Sequence, residues 1–114
     1  MSLLSELSAI AKKLKIPAQT AVYSGKAPDE YLVFTPLYDS FVLHADNAPN
    51  AEVQEVRISL FSKGNYSRAA SRLVRESLCA DITITARKYV GHEDDTGYNH
   101  YAVDTAKNYE MEEI

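Results

Sequence analysis

Residues 52–80 read EVQEVRISLFSKGNYSRAASRLVRESLCA, and the hydrophobic period changes in the middle of this run. Val56, Ile58 and Leu60 alternate with Glu55, Arg57 and Ser59, so Glu52 to Ser62 is predicted as a strand with one buried and one polar face. Gly64-Asn65 punctuates the chain, with Asn65 placed to cap the helix that follows. From Tyr66 to about Ala80 the spacing turns helical, with Ala69, Ala70, Leu73, Val74 and Leu78 on one face and Arg68, Arg72 and Arg75 on another. Three arginines on one helix suit contact with phosphate or an acidic partner, and a solvated helix face produces the same pattern.

The segments on either side extend this unit. Leu3, Leu7, Ile10 and Leu14 recur at three- and four-residue spacing and predict an amphipathic N-terminal helix. Ser2 is its N-cap, Lys12, Lys13 and Lys15 complement the dipole in its last turn, and Pro17 ends it. Thr20 to Ser24 is short and β-prone. Tyr31 to Leu37 and Ser40 to Ala45 are rich in aromatic and β-branched residues and read as strand. Pro36 between them implies an edge strand, a bulge or a tight corner, and residues 46–50 read as a turn. Asp81 to Val90 alternates Ile82, Ile84 and Ala86 against Thr83, Thr85 and Arg87, and Tyr98 to Tyr109 places Tyr101, Val103, Thr105 and Tyr109 on one side. The order helix, strands, helix, two strands predicts an α+β fold. Its mainly antiparallel sheet has about four to six strands, with both helices packed on one face.

Bulk properties narrow the function classes. A chain of 114 residues is a single domain's worth and buries about 65% of the surface its unfolded form exposes. A net charge of −4 argues against sequence-specific nucleic acid binding, which needs a clustered excess of Lys and Arg. One cysteine excludes an internal disulfide and a cysteine-based zinc site, so a reducing, intracellular setting is expected. Cys79 itself, between Leu78 and Ala80, reads as a small buried hydrophobe. No apolar run approaches the roughly 20 residues that span a bilayer, and Glu6 with the following lysines interrupts any secretory core.

The densest polar cluster is the connection Gly91-His92-Glu93-Asp94-Asp95-Thr96-Gly97. His92, Glu93, Asp94 and Asp95, with His100 brought near by a hairpin, have the ligand types for Zn²⁺ or Mn²⁺. Their spacing matches no metal-binding motif, and a solvated turn has the same composition. The four glycines are isolated, no serine sits in a G-x-S-x-G elbow, and nothing orients Cys79 as a nucleophile. The expectation is therefore no catalysis, no cofactor and no metal. Eight tyrosines fit either protein interfaces or strand packing.

The element order has a relative. The stretch LKIPAQTAVYSGKAPDEYLVFTPL after the first helix, the VQEVRISLFSKGNYSRAASRLVRESL strand-to-helix unit and the closing YNHYAVDTAKNYEME resemble the small tail-completion proteins of siphophages and prophages. That group includes tail terminators and tail-to-head joining proteins. The resemblance runs from about Leu3 to Glu112 and lies in element order and character. It implies one tail-terminator-like domain over residues 1–114 that assembles as a homo-oligomeric ring, often a hexamer. Its partners would be the tail tube protein and the head-connector protein, and it would reside in the virion tail after assembly in the host cytoplasm. The family has no catalytic residues to carry over. On this reading His92, Glu93, Asp94 and Asp95 form an assembly or lumen loop whose carboxylates keep a surface negative. Tyr98, Tyr101, Tyr109, Arg68, Arg72 and Arg75 are then candidate interface residues. A second reading is a small non-enzymatic binding or regulatory module acting through its sheet edge or arginine-bearing helix face.

Overall fold

The computed structural model describes residues 2–21, 24–43 and 49–110. Seven elements follow in order: α1 (Leu3–Leu14), β1 (Ala18–Thr20), β2 (Glu30–Leu43), β3 (Pro49–Ser62), α2 (Tyr66–Cys79), β4 (Thr83–His92) and β5 (Asn99–Glu110). The strands form one sheet in the order β1-β2-β3-β5-β4. All neighbours are antiparallel except β1 and β2. The fold is α+β, as the period changes predict.

β3 is the organising strand. Its residues Val56, Ile58 and Leu60 face Pro36, Phe34 and Leu32 of β2 on one side and Thr105, Val103 and Tyr101 of β5 on the other. Directly opposed residues share a face, so three strands supply one apolar surface. Leu3, Leu7, Ile10 and Leu14 of α1 and Ala69, Ala70 and Leu73 of α2 complete a single buried cluster on that surface. α1 begins as expected, with Ser2 and Ser5 forming a reciprocal capping box. It ends at Lys15 in the left-handed region (φ 60°), and the Ile16 N–H returns to the Ala11 carbonyl at 3.0 Å. Asn65 caps α2 through Arg68 N–H.

A second tie joins α1 to the sheet through polar atoms. The Glu6 side chain is 14% exposed and lies 2.8 Å from Lys107 Nζ. Tyr109 donates its hydroxyl to the same carboxylate, and Lys107 also donates to the Ala80 carbonyl at 2.8 Å. Burial opposes ionisation of Glu6, but the bonds from Lys107 and Tyr109 outweigh it and hold the carboxyl below its ordinary range. For Tyr109, burial and then the Glu6 carboxylate push the phenol well above its ordinary value.

Several expectations need correction. The short strand is Ala18–Thr20, not Thr20–Ser24, and it pairs parallel because Pro17 and Ala21 exchange bonds with Leu32 and Phe34. Residues 22 and 23 lie outside the described residues, as do 44–48 of the expected second strand and turn. The two aromatic runs are one strand, continuous through a register shift between Pro36 and Tyr38; of the three options for Pro36, the bulge and the unpaired outer edge are both realised. Pro49 and Asn50 belong to β3 rather than to a turn. In α2, Leu78 is 55% exposed while Ser77 is buried. Ser77 turns its hydroxyl back to the Leu73 carbonyl at 2.8 Å, which makes a polar residue admissible inside. Cys79, at the end of the helix, is exposed, so it does not behave as a buried hydrophobe. Ile82 precedes β4, and a register shift between Ile84 and Ala86 rotates Ala86 to the opposite face, where it is exposed.

Two outcomes test this architecture. Leu7→Ala should cost about 2–5 kcal/mol by removing a fully buried side chain, whereas Leu78→Ala should stay within about 0.5 kcal/mol; urea midpoints compare them. A carboxyl held low in the folded state stabilises fully above its unfolded value and loses that contribution as pH falls through its folded value. Glu6→Gln should therefore lower stability at pH 7 by about 1–3 kcal/mol and flatten the loss of stability below pH 4.5, as followed by urea titrations across that range.

Candidate functional site

The acidic connection is a shorter turn than its composition suggests, because Gly91 and His92 belong to β4. Glu93 N–H donates to the Tyr98 carbonyl at 2.8 Å, and Gly97 N–H donates to the Glu93 carbonyl at 2.7 Å. Gly97 takes a left-handed φ of 82°, which glycine adopts without strain. Thr96 donates to the Glu93 carboxylate at 2.8 Å. His92 Nε2 lies 3.8 Å from Asp94 Oδ1, and its Nδ1 lies 3.2 Å from Asn99 Oδ1. The hairpin separates His100 from His92, while Glu93 stays near enough to act on His100 electrostatically. His92 opposes Asn99 while Gly91 opposes His100, so the two imidazoles sit on opposite faces of the sheet. Among the described residues no three His, Cys, Asp or Glu side chains are arranged to hold a metal ion.

The candidate tyrosines divide by location. Tyr98 is only 7% exposed and donates its hydroxyl to the Pro28 carbonyl, so it ties the loop before β2 to the sheet. Tyr109 is engaged with Glu6. Tyr101 is half-buried and packs near Tyr66 of α2, with ring centroids 5.9 Å apart. Both Tyr98 and Tyr109 thus serve the interior of the subunit and leave little surface for a partner. Tyr89, which composition did not single out, is 44% exposed beside Val90 at 49%. Arg68, Arg72 and Arg75 are all exposed along α2; Arg68 and Arg72 border a shallow hollow with Glu30 and Asn65.

The helices cover one face of the sheet, and the other builds its own cluster. Tyr31, Phe61 and His100 lie side by side on β2, β3 and β5. Tyr31 stacks on Phe61 at 4.9 Å, Phe61 stacks on His100 at 4.3 Å, and Tyr98 meets the first two edge-on. Phe61 is stacked on both of its faces within this row, and Tyr31 and His100 each on one. Beyond them runs a hollow of about 240 Å³ bordered by Arg57, Lys88, Val90, His100, Ala102 and Asp104. Arg57 grips Asp104 with two bonds of 2.7 and 3.1 Å. His100 Nε2 is buried without a hydrogen-bond partner among the described residues. Burial pushes its pKa down, Glu93 pulls against that, and Arg57 adds to it.

The most distinctive surfaces are the two margins of the sheet. β4 is an edge strand, exposed at every position but Ile84 and Gly91. At the other margin, β1 pairs only with Leu32, Val33 and Phe34. On its outer side, away from β3, β2 from Thr35 to Leu43 therefore has no strand beside it among the described residues. Unpaired strand edges are templates for another strand. The sequence points to a sheet edge but not to which strands form it, because which strands lie at the margins is set by the strand order, not by composition. No helix of the described residues is long and apolar enough to cross a membrane. No protein-family model matches the chain, and no curated protein is detectably similar to it.

His100→Phe should keep the stack on Phe61 and remove the unpartnered nitrogen, raising stability by about 1 kcal/mol in urea unfolding at neutral pH. Since a histidine held below its ordinary value loses stability as pH falls, the gain should widen as pH drops below 6.5.

Proposed function

We propose that this protein is a structural assembly protein of a phage or prophage tail. It works as a homo-oligomeric ring, a hexamer in the commonest form of the group it resembles, at the head-proximal end of the tail tube. There it caps the tube and presents a surface to the head connector. It is made in the host cytoplasm and ends in the virion tail, with no enzymatic role. The observation that carries this reading is the pair of unlike sheet margins, β4 on one side and the upper part of β2 on the other. A ring needs contacts between two different patches of each subunit whose rotation closes, and these margins are two such patches on opposite sides of one rigid sheet. The acidic turn at Glu93, Asp94 and Asp95 projects from the end of the β4–β5 hairpin and suits a surface that must not hold DNA phosphates.

The exposed arginines of α2 favour a second reading, a non-enzymatic module that binds an acidic partner through Arg68, Arg72 and Arg75. The two readings separate by mass and by partner. Native mass spectrometry over rising concentration, with negative-stain microscopy, should show a closed oligomer of uniform size, and purified tail tubes should acquire the protein at one end. A chain that stays monomeric and ignores tube ends would remove the tail reading.

A further inference from the structure

Acids and bases are segregated along this chain. Between Lys26 and Arg57 the sequence has six acidic residues and no Lys or Arg. From Arg57 to Lys88 it has seven basic residues against Glu76 and Asp81. They share the central β3, but the fold sends β2 of the first segment and β4 of the second to opposite margins of the sheet. The free part of β2, Thr35 to Leu43, contains exposed Asp39 and no base, while β4 contains exposed Arg87 and Lys88 and no acid. Each margin also exposes large apolar groups: Leu37 on β2, and Tyr89 with Val90 on β4.

Charges, a proline and bulges on edge strands commonly serve only to keep edges apart. Here the signs argue for more. Two β4 edges repel one another and so do two β2 edges, whereas β4 and β2 attract, so the pattern rejects like pairing and admits unlike pairing. The lengths also agree, at about 33 Å for β4 and about 30 Å for the free part of β2. Strand direction agrees as well. β2 and β5 run together and β3 and β4 run against them, so identically oriented neighbours would bring β4 beside β2 antiparallel.

We infer that β4 of one subunit pairs with the Thr35–Leu43 edge of β2 in a second copy, continuing the sheet from subunit to subunit. This rests on the ring reading above and assigns its contact. Register adds a geometric consequence. Through β5 and β3, β4 lies level with residues 30–38 of β2, and β1 occupies the β2 edge at 32–34. A neighbour must therefore shift along the strands by about five residues, roughly 17 Å, for each repeat of the four strands β2, β3, β5 and β4, roughly 19 Å wide. That offset is a tilt of about 40°, within the range by which strands lean in closed sheets. A closed ring and a sheared sheet are thus compatible, with β1 acting as the stop that fixes the stagger.

The test is charge reversal read by native mass spectrometry, with thermal unfolding confirming that each variant stays folded. R87E/K88E should weaken self-association by about tenfold or more, because the β4 edge then faces Asp39 with like charge. D39K should also weaken it, and the triple variant R87E/K88E/D39K should recover the assembly. K12E/K15E carries the same net charge as R87E/K88E but changes only the exposed end of α1, so it should assemble like the parent. If the parent forms its oligomer and R87E/K88E leaves it intact, the edge assignment is overturned while the ring reading stands. If every variant including the parent is monomeric, both fall. If the triple variant fails to recover where the single edges are folded, complementarity between these edges is not the contact and the inference is overturned.

Discussion

Two helices can cover only one face of a five-stranded sheet, and that asymmetry governs most of what the remaining residues do. On the covered face, β2, β3 and β5 present Leu32, Phe34, Val56, Ile58, Leu60 and Val103, each nearly or fully buried beneath α1 and α2. Here burial is the dominant stabilising effect, at roughly 1.5–3 kcal/mol for each large side chain removed from water. The opposite face lacks such a lid. It is held by side chains that shelter one another: stacked rings at one end and the Arg57–Asp104 pair further along. An ion pair so exposed contributes little by itself, so the aromatic cluster is the stronger element of that face.

The same asymmetry explains which parts of the fold were legible in sequence. Elements facing a single apolar layer carry a simple period, and Val56-Ile58-Leu60 and Leu3-Leu7-Ile10-Leu14 were read correctly for that reason. Reading failed where a backbone irregularity reset the period. The shift after Ile84 moves Ala86 to the uncovered face, and the shift after Pro36 carries one strand through what looked like a break. Ser77, rather than Leu78, took the buried position because a hydroxyl bonded to its own helix can be buried at little cost, and residue type alone does not register that. β1 was hardest, since three residues paired parallel to a distant strand leave almost no pattern.

The candidate site was legible in composition but not in arrangement. Glu93, Asp94 and Asp95 do stand together at a turn, yet His92 and His100 are divided between the two faces by the alternation of side chains along paired strands. Tyr98 and Tyr109 looked available for partners and are committed to Pro28 and Glu6. The features that support an assembly role are margins of the sheet, and a margin is a property of strand order. With β5 placed between β3 and β4, the basic segment reaches one border and the acidic β2 stays at the other.

That insertion also orders events in time. β4 touches the sheet only through β5, and β5 follows every other strand of the described residues. While a nascent chain lacks residues 99–110, β3 has a bare flank where Val103 and Thr105 belong, and β4 has nowhere to dock. The longest-range pairing, β3 with β5 across α2 and β4, therefore closes last, after the loop-closure entropy of the intervening chain has been met. Until then both strands adjoining the gap are open to mispairing with other chains. A ribosome releasing many copies side by side would make this the stage most exposed to aggregation, and the speed of the final strand's entry, more than the stability of the finished sheet, would set the yield of usable subunits.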